Sequence, residues 1–244
     1  MSYVCENILK YGLDWKKKQA ASVIICYGHP DNYAEAGVYQ LGYVSVSDSD
    51  FSYENYAGIG KKLLLSALQI QAEKAETVRY IASADDAAEI LIDVMDFATD
   101  QPLSEGNLLI TPSFGLFAKT ESGKVHEDVL SQGPDIIISA AEHIYACSSV
   151  PANRSDADTH KLAAADVLPE EFSWNDYTED GISGKKLIFA AKSNITVAES
   201  GDIQAYCLTD QTRLLAVQSI KRSQPLVKGG LLNLPALEII SIKG

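Results

Sequence analysis

The side chains that could perform chemistry are spread along this chain without a known metal-binding spacing. The histidines number four, and they are His29, His126, His143 and His160. None of them recurs at the matched position of the other half of the chain, and no HxH, HExxH or His-x3-His pattern is present. Because zinc sites depend on such spacings, the sequence predicts no metal site.

Carboxylates are plentiful but do not form a recognised acid pair. Asp48-Ser49-Asp50 and Asp156-Ala157-Asp158 could hold a weakly bound cation, although neither has the DxDxDG pattern of a calcium loop. We expect solvated loops at both places. Asp93 and Asp96 lie on an apolar segment whose second copy carries Gln218 and Lys221, so no paired-acid glycosidase site can be located.

Nucleophiles and phosphate-binding loops are equally poorly supported. No GxSxG segment is present. Cys26 lies in an apolar run, Cys147 occupies the same place in the second copy, and neither copy has a matching histidine. The segment Gly58–Lys62 has two glycines before a lysine but lacks the G-x4-GK[ST] spacing, so a hairpin is favoured there. The sequence therefore predicts no catalytic residue, no cofactor and no enzymatic activity.

Two aromatic segments are the candidate contact sites. FSYENY begins at residue 51 and FSWNDY at residue 172, and we expect each in a loop. Their aromatic members, the candidate contact residues, are Phe51, Tyr53, Tyr56, Phe172, Trp174 and Tyr177. These side chains could anchor the loop to its own domain, contact a neighbouring subunit, or stack on sugar rings.

The chain is an internal repeat, and its two halves must position these segments in the same way. At a constant offset of 121 residues, the matched pairs include Gly12 and Gly133, Asp14 and Asp135, Ala20 and Ala141, Cys26 and Cys147, and Leu41 and Leu162. After a small insertion, GKKL matches at Gly60 and Gly184, QPL matches at Gln101 and Gln224, and Tyr80 and Asp85 match Tyr206 and Asp210. A repeated unit without a repeated catalytic set favours a scaffold over an enzyme.

Each copy is predicted to be a short helix followed by six or seven strands. Val4, Ile8, Tyr11 and Trp15 share one helical face, whereas Pro134 should shorten the second copy of this helix. The expected fold class is mainly β, with two tandem antiparallel β-sandwich modules of the immunoglobulin-like or jelly-roll-like kind. The predicted modules span residues 1–120 and 121–244, joined at the polar segment 120–125.

Several strand assignments follow from residue type. Lys61–Ala72 is predicted to be one strand, and Thr77–Ala84 and Glu89–Phe97 a hairpin that turns at Asp85-Asp86. The polar stretches that begin at Asp31 and Ala152 should be loops with a turn or two of irregular helix. Pro112 and Pro235 should lie at a bulge or a sheet edge, since proline cannot donate to a ladder.

Composition narrows the partners and the compartment. The formal net charge is −13 and the pI is about 4.7, which argues against nucleic acid because phosphates are bound by Lys and Arg. No apolar run approaches membrane-spanning length, and the N-terminus lacks the features of a signal peptide, so synthesis in a cytoplasm is expected. Cys26 and Cys147 are expected to be small core side chains and not half of a disulfide.

The segment IICYGHPDNYAEAGVYQLG, from Ile24 to Gly42, resembles a pattern in small, uncharacterised virion proteins of tailed phages. The fitting residues are Cys26, Pro30, Tyr33, Glu35, Ala36, Tyr39, Leu41 and Gly42. GKKL at Gly60 and the stretch Leu214–Gly230 resemble later parts of that pattern, while the second copy lacks the YAEA segment. The small proteins have one module, so this chain resembles a tandem version of them.

This resemblance implies a non-enzymatic component of a tailed-phage particle, located in the virion after synthesis in the host cytoplasm. The expected partners are other virion proteins of the capsid, neck or tail, with assembly as a homo-oligomer, ring or lattice. Capsid decoration or a neck collar is the first expectation. A tail accessory or fibre-base adaptor, and a carbohydrate-binding module for host attachment, remain the alternatives.

Overall fold

The computed structural model describes residues 3–56, 60–111, 113–119, 124–125, 127–179 and 182–242. The chain divides into two compact units, Met1–Ala118 with Lys243–Gly244, and Lys119–Ile242. We refer to them as the first unit and the second unit. The interdomain segment predicted at 120–125 falls mostly outside the described residues, as does Pro112.

The first unit contains two helices and ten strands among its described residues. The helices are α1 (Glu6–Gln19) and α2 (Tyr33–Tyr39). The strands are β1 (Tyr3–Val4), β2 (Ser22–Cys26), β3 (Gln40–Ser45), β4 (Phe51–Tyr56), β5 (Gly60–Leu65), β6 (Gln69–Gln71), β7 (Glu76–Asp85), β8 (Ile90–Leu103), β9 (Leu108–Ile110) and β10 (Phe114–Lys119). A 3₁₀ turn at Asp48–Asp50 leads into β4.

The second unit repeats this order in the part of the chain that the structure describes. Its helices are α3 (Glu127–Gln132), α4 (Asp135–Ala140) and α5 (Arg154–Thr159). Its strands are β11 (Lys124–Val125), β12 (His143–Cys147), β13 (Lys161–Asp166), β14 (Phe172–Glu179), β15 (Ile182–Phe189), β16 (Lys192–Thr196), β17 (Gly201–Thr209), β18 (Leu214–Leu226), β19 (Leu231–Leu234) and β20 (Leu237–Ile242).

Both units have the same sheet topology. The five-stranded sheets have the orders β1-β8-β7-β2-β3 and β11-β18-β17-β12-β13. The three-stranded sheets are β10-β5-β4 and β14-β15-β20, and the two-stranded sheets are β6-β9 and β16-β19. The described strand registers are antiparallel. The prediction of a mainly β chain built from antiparallel sheets is confirmed.

The five-stranded sheet of each unit is buried on both faces. In the first unit, Ile25 faces a core shared with α1, β5 and β6, where Leu13, Leu63 and Ile70 pack together. Ile24 and Cys26 alternate with Ile25 and face the opposite side, toward Ala36 of α2. Burial on both faces explains why β2 reads as a continuous apolar run.

The first helix region contains a break that both units share. Gly12 lies inside α1 with φ 71° and ψ −167°, a conformation that essentially only glycine adopts. Its counterpart Gly133 has φ 79° and separates α3 from α4. The second copy of the helix is shorter, as predicted, since α3 ends at Gln132; the break falls at Gly133, and Pro134 precedes the second short helix α4.

Two further sequence assignments need correction. The single strand predicted at Lys61–Ala72 is divided, because β5 pairs with β4 whereas β6 pairs with β9. The division falls at residues 66–68, where the Leu68 amide donates to the Thr111 hydroxyl at 3.0 Å instead of continuing the ladder. The predicted loops after Asp31 and Ala152 contain the regular helices α2 and α5.

The predicted hairpin around Asp85-Asp86 is confirmed and Asp85 matches Asp210 as predicted, but the match of Tyr80 to the second copy shifts by one residue. Cys26 lies opposite Tyr80, whereas its counterpart Cys147 lies opposite Ala205. Tyr80 is therefore equivalent to Ala205 and not to Tyr206. Along the next strand, Asp93 pairs with Ser83 as Ala216 pairs with Leu208, so Ala216 is the equivalent of Asp93.

Candidate functional site

The aromatic segments predicted as loops are strands. FSYENY forms β4 and FSWNDY forms β14, each paired along its length with the GKK-containing strand that follows. The period of two sends alternate aromatic side chains to one face. Phe51 is 5% exposed and belongs to the core of the first unit, and Phe172 packs on Phe189 with ring centroids 5.2 Å apart.

The next aromatic residue of each strand is bound to the first helix region of its own unit. The Tyr53 hydroxyl donates to Asp14 Oδ1, and the Trp174 indole Nε1 donates to Asp135 Oδ1 at 3.2 Å. Tyr53 and Trp174 are equivalent positions, as are Asp14 and Asp135. Both units therefore contain a hydrogen bond from an aromatic side chain to an aspartate, which favours an anchoring role for Tyr53 and Trp174.

The environment of Tyr53 also changes its ionisation. Burial raises the pKa of Tyr53, and the hydrogen bond to Asp14 and the charge of that carboxylate raise it further. Lys17 and Lys61 place their Nζ atoms 5.7 and 5.6 Å from the centre of the Tyr53 ring. The Tyr53 ring therefore lies under two cations of its own unit.

The last members of the two aromatic segments are less fully described. The Tyr177 hydroxyl donates to Glu179 on the same strand, and its side chain is half-buried. The side chain of Tyr56 lies outside the described residues, although its backbone pairs with Gly60. The contact role of the six aromatic residues stays a prediction, and the structure places Phe51 too deep to take part directly.

A second constellation, which the sequence reasoning missed, lines a cleft of about 290 Å³ in the first unit. It lies between α2, β2, β3 and the turn after β7. Its lining includes Ile24, Tyr33, Gly37, Gln40, Tyr43 and Asp86. Asp86 Oδ1 accepts hydrogen bonds from the Ser22 hydroxyl at 2.9 Å and from the Tyr33 hydroxyl at 3.2 Å. We call this feature the Asp86 cleft.

The electrostatics of the Asp86 cleft are acidic. Partial desolvation raises the pKa of Tyr33, and the negative charges of Asp86, Glu89 and Asp85 raise it further. No lysine or arginine is among the residues that line the cleft. Tyr43 is 53% exposed at its edge, so the site is open to solvent.

The equivalent corner of the second unit carries its own cations. Arg154 replaces Tyr33, and its Nη2 donates to the Tyr145 hydroxyl at 2.8 Å while its Nε donates to the Asp210 carbonyl at 2.8 Å. Arg154 also forms an ion pair with Asp158, which raises the pKa of Arg154 and lowers that of Asp158. Arg154 and Lys161 lie 5.0 and 4.7 Å from the centre of the Tyr145 ring.

A second arginine completes that corner. Arg213 Nε binds Asp210 Oδ2 at 2.6 Å, and its Nη1 binds Asp128 Oδ2 at 2.6 Å. Burial disfavours the Asp210 carboxylate, but hydrogen bonds from Thr212 and Arg213 outweigh it and lower its pKa. This corner is therefore internally neutralised by arginine, where the first unit has Tyr33 and Ile90. The only sequence signal for this difference between the two corners was that the two copies carry different residue types at these positions.

The first unit also buries an ion pair that the second unit lacks. Lys16 Nζ lies 2.5 Å from Asp93 Oδ2, and both side chains are at most 2% exposed. Asp93 Oδ1 and the Ser83 hydroxyl beside it have no hydrogen-bond partner. The equivalent residues in the second unit are Ile137, Ala216 and Leu208, all apolar and buried. Nothing opens this pair to solvent, so it is a feature of the core.

The cysteines are core residues, as the sequence predicts for Cys26 and Cys147. All four are free and buried. Burial raises the pKa of Cys26 to about 12 and also raises that of Cys5. Cys207, whose equivalent is Ala82, places its Sγ 3.7 Å from that of Cys147, and this contact and burial raise the pKa of Cys207.

Each described histidine lies beside a carboxylate. His29 contacts Asp31, His143 contacts Asp166, and His160 contacts Asp156. His126 lies outside the described residues. Within the described ranges, no group of three or more His, Cys, Asp and Glu side chains is placed to hold a metal ion.

The described helices do not include one that is long and apolar enough to cross a membrane. Comparison of the chain with protein-family models, with curated proteins and with solved structures gives no match.

Proposed function

We propose that this chain is a non-enzymatic structural component of a tailed-bacteriophage particle, and that it decorates the capsid or forms part of a neck collar. In this proposal each unit acts as one antiparallel β-sandwich module. The virion is its site of action, and other virion proteins are its partners. The tail-accessory or fibre-base role is the variant of this proposal with fewer copies per particle.

The observation that carries the proposal is a duplicated fold with divergent surfaces. Both units have the same strand order in all three sheets, yet the equivalent corners carry Tyr33 and Asp86 in one and Arg154 and Gln211 in the other. Two linked binding modules raise avidity without new chemistry, which suits attachment to a symmetric lattice. The resemblance of Ile24–Gly42 to small virion proteins supports the same direction.

The core residues support the sandwich description of each unit. In the second unit, Ile144 and Leu208 of the five-stranded sheet share a core with Leu187 and Phe189 of the three-stranded sheet. In the first unit, Ile25 and Ile81 do the same with Leu63 and Leu65. Sheets that share an apolar core in this way form the usual layered arrangement of a β domain.

The test is the number of copies of this chain per purified particle, measured by quantitative mass spectrometry against the major capsid protein. On the order of hundreds of copies indicates a lattice-decorating role, and roughly a dozen indicates a ring at the neck or tail. Immunogold labelling then locates the ring. Absence of the chain from particles that contain their full set of capsid and tail proteins overturns the proposal.

A further inference from the structure

The Asp86 cleft of the first unit and the corner around Arg154 in the second unit occupy equivalent places. The second unit is therefore an internal reference for the first. Asn32 and Asn153 cap α2 and α5 in the same way, each accepting from the amide three residues later at 2.9 Å. Tyr33 and Arg154 are therefore the first helical residues at the same place. Asp85 is the last residue of β7 and Asp210 directly follows β17, so both lie at the start of the same turn.

The second unit shows which groups neutralise this corner. Arg154 donates to a phenol hydroxyl and to a main-chain carbonyl, and forms an ion pair with Asp158. Its guanidinium also lies over an aromatic ring, the arrangement of a cation–π contact. Arg213 binds the carboxylate of Asp210, which directly follows β17. Acidic and aromatic groups at this corner are thus satisfied by guanidinium groups from the same unit.

The first unit has neither arginine at this corner, and it carries the Asp86 carboxylate where the second unit has Gln211. Tyr33 stands in place of Arg154, and Ile90 stands in place of Arg213, since Leu91 lies opposite Ala84 as Leu214 lies opposite Thr209. Ile24 replaces the bulky Tyr145, and Gly37 replaces Asp158, where an added side chain would meet no atom within 4 Å. The result is an open cleft with Asp86 at one end and the half-exposed ring of Tyr43 at its edge.

We propose that the Asp86 cleft binds an arginine side chain from a basic segment of a partner protein. The guanidinium would pair with the Asp86 carboxylate, and its flat face would lie against Tyr33 or Tyr43. A planar guanidinium suits this site better than an ammonium because it can bind a carboxylate and stack on a ring at once. The net charge of −13 favours approach of a basic partner.

This inference goes beyond the proposed function and does not rest on it. The measurement uses the full-length chain labelled with ¹⁵N, titrated with N-acetyl-arginine amide while amide chemical shifts are followed. N-acetyl-citrulline amide, which has the same shape without the charge, is the matched control. We expect saturable shifts at the amides of Tyr33, Gly37, Gln40 and Asp86 with the arginine probe only.

Variants make the assignment specific. Asp86→Asn should weaken binding of the arginine probe about tenfold, because a charge-assisted pair is replaced by a neutral one. Asp202→Asn, an exposed aspartate on β17 of the second unit, should leave it unchanged. Tyr33→Arg, which installs the residue of the second unit at an only partly buried position, should abolish binding because the corner then holds its own guanidinium.

Three results would overturn the proposal. They are the absence of a saturable shift with the arginine probe, equal shifts with the citrulline probe, and unchanged binding by the Asp86→Asn variant. Shifts of the same amides with a monosaccharide such as glucose, while the arginine probe has no effect, would assign the cleft to sugars instead. Because none of these readings involves a phage particle, they remain separate from the copy-number test.

Discussion

Lys16 and Asp93 form an ion pair in the core of the first unit, where the second unit places Ile137 and Ala216. Removing two charges from water is costly, and their attraction offsets that cost only when the pair is complete. The orphaned Asp93 Oδ1 and Ser83 hydroxyl show that the polar cluster is incompletely satisfied. The second unit therefore illustrates a simpler solution to the same packing problem.

We expect Lys16→Ile to lower the free energy of unfolding of the first unit by about 3–5 kcal/mol, because it leaves Asp93 buried and unpaired. The triple variant K16I/S83L/D93A, which copies the second unit, should recover most of that loss. Chemical denaturation followed by circular dichroism measures both. Lys18→Ile, at an exposed position of the same helix, is the control and should change stability by less than about 0.5 kcal/mol.

If K16I unfolds at the same denaturant concentration as the unchanged chain, the pair does not stabilise the fold. If the triple variant is no better than K16I, the three positions are not interchangeable between the units. The first result would contradict the prediction that the buried pair stabilises the first unit. The second would contradict the prediction that the residues of the second unit can replace it.

Tyr53 gives a pH-dependent prediction. Its pKa is raised by burial and by Asp14, so the folded state holds the phenol proton more tightly than the unfolded state does. The stabilisation is fully present below the unfolded pKa of about 10 and is lost as the pH rises toward the folded pKa. Unfolding should therefore become easier above about pH 10.

The measurement is the urea midpoint at pH 8 and at pH 11, compared between the unchanged chain and Tyr53→Phe. Tyr53→Phe should lower stability by about 1 kcal/mol at pH 8 through the lost hydrogen bond. Its stability should then fall less steeply toward pH 11. A parallel fall in both proteins would show that other groups account for the alkaline loss, and Tyr43→Phe, at an exposed position, serves as the control.

At the scale of elements, helix caps show what the sequence did and did not reveal. The stretches after Asp31 and Ala152 were predicted to hold only a turn or two of irregular helix, yet Asn32 and Asn153 each accept from the amide three residues later and begin a regular helix. The Asn32 side-chain amide also donates a hydrogen bond to Glu35 Oε1 at 3.0 Å, which strengthens the first cap. Short helices of this kind depend on their caps and on one buried alanine, so apolar periodicity does not detect them.

We expect Asn32→Ala and Asn153→Ala each to cost about 1 kcal/mol, because an unpaired amide is left at the helix start. Thermal unfolding of each variant measures this cost. Asn55→Ala, on β4 away from any cap, is the control for the exchange itself. A loss no larger than that of the control would mean that α2 and α5 are held by packing alone.

The strand assignments that could be predicted are those set by local composition. The apolar runs of β2 and β12, the hairpin of β7 and β8, and the mainly β class followed from residue type and turn residues. The division of Lys61–Ala72 into β5 and β6 could not be predicted, because it depends on a hydrogen bond to the distant Thr111. The Asp86 cleft was missed for a similar reason, since its residues lie on four separate elements.

At the scale of the whole molecule, the duplication lets each unit serve as a control for the other. Equivalent positions keep the glycine break at Gly12 and Gly133 and the aromatic anchor on Asp14 and Asp135. They differ in the buried pair at Lys16 and in the charges around α2 and α5. What is retained builds the fold, and what differs is where the units acquire distinct properties.

Each unit has its own core clusters, so we expect the intact chain to unfold in two transitions that belong to the two units. Differential scanning calorimetry should resolve them, and Lys16→Ile should lower only the transition of the first unit. The matched variant Ile137→Ala, at the equivalent buried position, should lower only the other by about 2–5 kcal/mol of stability. A single transition that both substitutions shift together would instead show that the two units unfold as one cooperative body. The surfaces of the two copies would then have to be interpreted together.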